Sequence, residues 1–131
     1  MIVLDTHVII WDALTPGKLS KKAKEAIDLA NKEGGIIFCD ISLWEIAMLI
    51  KKERLKIEIG YQGFINLVLS ANKYIVHRIT PEIAELSVDL PGSINKDPAD
   101  RIIAATSIVN NVPLVTIDEN LIRSDMVNTL W

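Results

Sequence analysis

The chain has 131 residues, half of them hydrophobic but only 5% aromatic, with 14 basic and 17 acidic residues and a formal net charge of -3. That length and apolar content suit one domain with a mainly aliphatic core, and the acidic balance excludes a protein that packages nucleic acid by bulk charge, so any such contact must be local. The one cysteine, Cys39, excludes an internal disulfide and a multi-cysteine zinc site; its isoleucine-rich surroundings mark it as a buried structural thiol.

Residues 2–4 are a short β-type run ending at Asp5, with no basic segment and apolar stretch ahead of it that would mark a leader peptide. Residues 7–14 read as a helix that stops before Pro16. Residues 20–32 form an amphipathic helix, with Ala23, Ala26, Ile27 and Ala30 at helical spacing, ended by Gly34 and Gly35. A second strand is expected over 36–39 and a strongly apolar helix over 42–52. Residues 61–71 read as a helix and 74–79 as a short strand. Pro81 opens a helix to about Leu90, and the loop 91–96 reads as the most open segment. Pro98 opens a helix to Asn110, 113–117 is a strand ending at Asp118, and 127–131 a last edge strand.

Short apolar strands alternating with helices predict a three-layer α/β/α domain. Its parallel sheet should have about four or five strands with helices on both faces. No repeat, low-complexity tract or linker divides residues 1–131. The longest apolar runs are interrupted by Glu45 or Asp100, well short of a membrane span. A cytoplasmic protein without membrane contact is expected.

In such sheets ligands sit beyond the carboxyl ends of the strands. Asp5 and Asp118 end two strands, while Glu45 and Asp100 stand in the first turns of expected helices. Four acids are thus expected at one sheet edge, where like charges raise one another's pKa. A divalent cation removes that cost, and oxygen-only ligands select Mg²⁺ or Mn²⁺. Each acid also has a local structural explanation. Ser42-Leu-Trp-Glu45 is a capping-box pattern, Asp97 before Pro98 is a good N-cap, Asp100 favours the helix dipole, and Asp5 and Asp118 can simply end strands. Their shared location favours the metal. Glu45 is also the only charged residue between Ile41 and Ile50, on a helix expected to be largely buried, where a charge needs a partner.

Other constellations carry less. Gly34-Gly35 has neither the dinucleotide-binding nor the phosphate-loop pattern, and no nucleophile elbow is present. His7 and His77 are too few for a metal triad, although His7, close after Asp5, is a candidate for touching substrate. Basic clusters at 18–24 and 51–56 read as solvated helix faces that also steer phosphate. Trp11 and Trp44, on apolar helices, are expected in core or interface.

The run Ile2-Val-Leu-Asp-Thr-His-Val-Ile-Ile-Trp11 resembles the opening of PIN-domain toxins of the VapC type. Ser42-Leu-Trp-Glu-Ile-Ala47 is similar to their second motif, Lys96-Asp-Pro-Ala-Asp-Arg-Ile-Ile-Ala-Ala105 to the third and Leu114-Val-Thr-Ile-Asp118 to the fourth. The motifs span nearly the whole chain in order. The resemblance implies Asp5, Glu45 and Asp100 as core acids and Asp118 as the fourth, with Asp97 a supporting group or cap. Lys96 stands where the resemblance leads one to expect histidine. It further implies an Mg²⁺-dependent ribonuclease, a toxin–antitoxin pair with a cognate antitoxin protein, and a homodimer. Two alternatives stand beside it. A phosphorelay receiver needs paired acids after its first strand and a lysine after its last; here Asp5 stands alone and no lysine follows 114–117. An inactive PIN-fold binding module needs no full set of acids.

Overall fold

The computed structural model describes residues 1–131. Five strands, β1 (Ile2–Leu4), β2 (Ile36–Cys39), β3 (Tyr74–His77), β4 (Leu114–Val115) and β5 (Thr129–Leu130), form one sheet. Their order is β3-β2-β1-β4-β5 and every neighbouring pair is parallel. This differs from the 2-1-3-4-5 order of flavodoxin-like receivers. The helices are α1 (Thr6–Leu14), α2 (Lys21–Lys32), α3 (Ile41–Lys51), α4 (Tyr61–Ala71), α5 (Pro81–Asp89), α6 (Pro98–Asn110) and α7 (Glu119–Arg123), with a 3₁₀ turn at Pro16–Lys18. None is long and apolar enough to cross a membrane.

The central strands β1, β2 and β4 are apolar on both faces because both are covered, whereas Ile75 and Val76 of the edge strand β3 are exposed. Side chains alternate across a strand, so Ile2, Leu4, Ile36, Phe38 and Val115 join a core with α1, α2 and α4. Val3, Ile37, Cys39 and Leu114 enter a second core with α5, α6 and α7. Cys39 is buried there, which pushes its thiol up to about 12 and leaves it inert. Gly34 and Gly35 both have positive φ, and a Cβ on Gly35 would come within 3.0 Å of the Lys73 carbonyl oxygen. Glycine is therefore what lets α2 stop and β2 begin there.

Several expected elements are corrected. β3 ends at His77 because the Ile79 amide leaves the ladder to donate to Asp40 Oδ2 at 3.2 Å. The helix expected from Ser42 begins at Ile41, after Asp40, whose side chain makes no capping bond. Ser42 is thus inside the helix and the capping box does not form. α7 was not expected; Asp118 caps it by accepting from the amides of Asn120 and Leu121 at 2.8 and 3.3 Å. The loop 91–96 is exposed at Pro91, Gly92, Ser93 and Lys96, yet it is anchored from within. Leu90 and Ile94 are only 3% and 2% exposed. The Arg101 guanidinium donates to the carbonyl oxygens of Ser87, Val88, Leu90, Pro91 and Asn95.

With all strands parallel, their carboxyl ends share one edge. After β1 the chain turns to α1 on one face, and after β4 to α7 on the other. Adjacent strands whose exits diverge open a crevice, the usual ligand position in such folds.

Candidate active site

Asp5 leaves β1 into that crevice and is 7% exposed. Its Oδ1 accepts from the Thr6 amide and its Oδ2 from Thr116 Oγ1, both at 2.7 Å. Burial raises its pKa, against these hydrogen bonds. Glu45, also 7% exposed, enters from α3. Its Oε1 accepts from Thr6 Oγ1 at 2.5 Å, and Thr6 Oγ1 lies 2.8 Å from Ser42 Oγ. The Thr6 hydroxyl has one hydrogen and gives it to the carboxylate, so Ser42 donates to Thr6. This Ser42–Thr6–Glu45 chain replaces the capping box as the reason for Ser42. Burial raises the Glu45 pKa, and the charges of Asp5 and Asp97 add to it.

The other wall comes from α6 and its preceding loop. Asp97 caps α6, accepting from the Ala99 amide at 2.9 Å. Asp100 follows in the first turn. Asn95 Nδ2 donates to Asp100 Oδ2 at 2.9 Å and to Asp118 Oδ2 at 2.7 Å, while Asn95 Oδ1 accepts from the Asp97 amide at 2.9 Å. Burial, then the charges of Asp5, Asp97, Glu45 and Asp118, push Asp100 up to about 8.

The four acids named from the sequence do face one crevice, but the tightest set differs. Glu45, Asp97 and Asp100 each offer a carboxylate oxygen within 4.8 Å of the other two. Asp97 thus joins the group in the structure, while Asp5 bears on Asp100 through its charge and Asp118 is tied to it through Asn95. No lysine or arginine neutralises these acids; the only ion pair in the protein is Arg123 with Glu119, on the surface. Converging oxygen donors, the raised pKa values of Asp5, Glu45 and Asp100, and the lack of any ion pair to these acids make a donor set that fits a hard divalent cation.

Sequence reasoning missed Thr6, Thr116, Asn95 and Arg101. Thr6 and Thr116 had a signal: hydroxyls beside acids at strand ends that must be buried. Asn95 and Arg101 had none, because their partners lie across the loop. His7 is exposed, its ring tilted by 60° against Trp11 with centroids 6.2 Å apart, and it acts to lower the pKa of Asp5 and Glu45. Of the basic clusters, Lys52 and Arg54 line a cleft with Glu45 and Asp97, whereas Lys22 lies beside Met1, at the opposite sheet edge. Trp11 packs on the core and on Trp131 as expected. Trp44 is not in the core; at 58% exposed it lies on the surface, where the interface half of the expectation still applies, and only Ser42, Glu45 and Ile46 of α3 are buried.

A PIN-domain family profile matches residues 2–125. The chain is 35% identical over 120 residues to Ribonuclease VapC22 of Mycobacterium tuberculosis, covering 92% of this chain and 88% of that protein. Its fold is similar to VapBC2 from Rickettsia felis bound to a promoter DNA fragment, with TM-score 0.76, 18% identity, and 99% and 98% of the two chains covered. It is similar also to DNA-bound VapBC from Salmonella typhimurium, with TM-score 0.72, 15% identity, and 98% and 96% covered.

Proposed function

The chain belongs to the PIN-domain family, and from that premise we propose that it is a divalent-metal-dependent ribonuclease, the toxin of a type II toxin–antitoxin pair, with residues 1–131 acting as one PIN domain. The observation that carries this reading is the set of converging carboxylates, none of them in an ion pair. Asp5, Glu45 and Asp100 hold Mg²⁺ or Mn²⁺, with Asp97 within reach. Asp118, whose oxygens already accept from the α7 amides and from Asn95, serves by fixing Asn95 and through it Asp100. When bound, the cation supplies a more acidic water and neutralises charge on the scissile phosphodiester.

The chain's own groups prepare the site. Ser42 and Thr6 orient Glu45 and favour its ionised form; Thr116 and the Thr6 amide do the same for Asp5. Burial and the neighbouring carboxylates hold Asp100 at about 8, so a divalent cation there would favour its ionised form. Asp5 and Glu45 are buried, so their charges act more strongly than they would in water.

A cognate antitoxin is the expected partner. VapBC complexes are among the similar structures, and an apolar groove lined by Leu14, Ile57, Ile59, Phe64 and Leu67 suits one face of an amphipathic helix. A homodimer in the cytoplasm completes the proposal. The test is cleavage of total RNA by the purified protein with Mg²⁺, Mn²⁺ or chelator, together with induction in a bacterial host. Metal-dependent cleavage and growth arrest, both lost in Asp5→Asn, are expected. Undiminished cleavage in excess chelator overturns the mechanism, and equal harmlessness of soluble wild type and variant overturns the toxin role.

A further inference from the structure

One wall of the acid crevice continues into a surface that neither the fold nor the proposed chemistry uses. Trp44 and Met48 on α3, and Lys52 at its C-cap, recur every four residues and so lie along one side, spanning about 12 Å along the helix axis. With Arg54, Glu45 and Asp97 they line an open cleft of about 660 Å³. The chain turns back just after α3. Glu53 takes a left-handed φ of 59°, and the Arg54 amide donates to the Leu49 carbonyl oxygen at 2.9 Å, which brings Arg54 to the rim of the cleft. Neither Lys52 nor Arg54 is in an ion pair. The surface therefore runs from the carboxylates, past a 58% exposed indole, to two unpaired cations.

We propose that this cleft seats the single-stranded stretch of RNA flanking the scissile phosphate, with one base stacked on Trp44 and backbone phosphates held by Lys52 and Arg54. The proposal rests on the ribonuclease reading and adds the side chains that seat the strand beside the acids. An aromatic face recognises a base only when the base is free of its own stack. In a chain of net charge -3, carboxylates repel an incoming phosphate backbone, and cations at one lip of the same cleft offset that locally. Charge also separates this surface from the groove proposed for the antitoxin. That groove is mostly aliphatic and includes none of the site acids, whereas here an indole and two cations adjoin the acids themselves.

The experiment compares wild type, Trp44→Ala, Trp44→Phe and the double variant Lys52→Ala/Arg54→Ala. It measures Mg²⁺-dependent cleavage of a short labelled single-stranded oligoribonucleotide, and binding of poly(U) in chelator by fluorescence anisotropy across a salt series. Melting curves and solution mass check the fold and the assembly. Trp44→Ala is expected to raise KM roughly 5- to 100-fold with kcat nearly unchanged, and Trp44→Phe to recover most of the loss. Poly(U) is expected to quench an indole signal that Trp44→Phe lacks. The double variant is expected to make the log–log salt dependence of poly(U) binding shallower by about 1.4, for two lost phosphate contacts. Unchanged KM and salt slope in folded variants, with wild-type cleavage intact, overturn the cleft and leave the ribonuclease reading standing. Absent wild-type cleavage defeats that reading itself, and the chelator binding arm then decides the cleft separately. Competition by a duplex as effective as by a single strand overturns base stacking. A change of solution mass, or lost antitoxin binding with RNA binding intact, assigns the face to protein and overturns the proposal.

Discussion

The two walls of the acid crevice are held by different means. Asp5 and Glu45 are fixed by hydroxyls at the ends of strands and helices, with Thr6, Ser42 and Thr116 all buried. Asp100 and Asp118 are bridged by the side-chain amide of Asn95, which also accepts from the Asp97 backbone amide, on a loop pinned by one guanidinium. The first wall cannot shift without disturbing β1, β4 and α3. The second depends on side-chain bonds outside regular structure and so is drawn from the less stable end of the molecule. Rigid placement and adjustable placement thus meet across one cation site.

Removing charge from either wall tests whether both are needed. Asp5→Asn and Asp100→Asn are each expected to lower metal-dependent RNA cleavage by more than about 100-fold, beyond the 10- to 100-fold typical of groups that only orient ligands. Near-normal turnover in one of them would confine the chemistry to the opposite wall.

The next largest effect falls on the pinned loop. Arg101→Ala leaves several part-buried carbonyls without a donor and is expected to destabilise the fold by about 3 kcal/mol, seen as a clearly lower Tm. Arg101→Lys should recover little, since an ammonium cannot reproduce the planar fork. A Tm equal to wild type would mean that the loop holds itself.

Smaller changes compare the supports directly. Thr6→Val removes the hydroxyl between Ser42 and Glu45 and is expected to weaken Mg²⁺ binding roughly 10- to 100-fold by titration calorimetry, with Thr6→Ser close to wild type. Asn95→Ala, on the adjustable wall, is expected to cost about tenfold, near the lower end of that range. A greater loss from Asn95→Ala than from Thr6→Val would reverse the comparison.

A separate test of the second wall is the pH dependence of the metal-free protein. Asp100 is raised from an ordinary 3.8 to about 8. The folded protein therefore keeps a proton that the unfolded chain loses in this window. The stabilisation from that proton is full below about pH 4 and is lost as pH rises through about 8. Tm without metal should fall over this range, saturating Mg²⁺ should reverse the fall, and Asp100→Asn should flatten it. A metal-free Tm that rises between pH 5 and 8 would contradict the Asp100 environment.

Much of the architecture was legible because it rests on local pattern. Apolar runs bounded by Gly34-Gly35, Pro81, Pro98 and Pro113 marked the strands and helices within one or two residues for most elements. The exceptions were α7 and the 3₁₀ turn, too short to show periodicity, and the shortened strands, whose ends depend on competing hydrogen bonds. Asp5, Glu45, Asp100 and Asp118 were readable because parallel strands deliver their carboxyl ends to one edge. The capping box was misread because Ser42-Leu-Trp-Glu45 matches that pattern locally, while Thr6, 36 residues earlier in the chain, takes both side chains.

The sequence by itself determined which residues are strands, which helices cover them and which acids stand at strand ends, since periodicity and caps act over a few residues. Only the tertiary structure decided that Asp97 joins Glu45 and Asp100, that Asn95 bridges Asp100 and Asp118, that Arg101 closes the loop, and that Trp44 faces solvent beside two cations. Those contacts join segments distant in the chain, or depend on what remains uncovered after packing, and no local pattern encodes either.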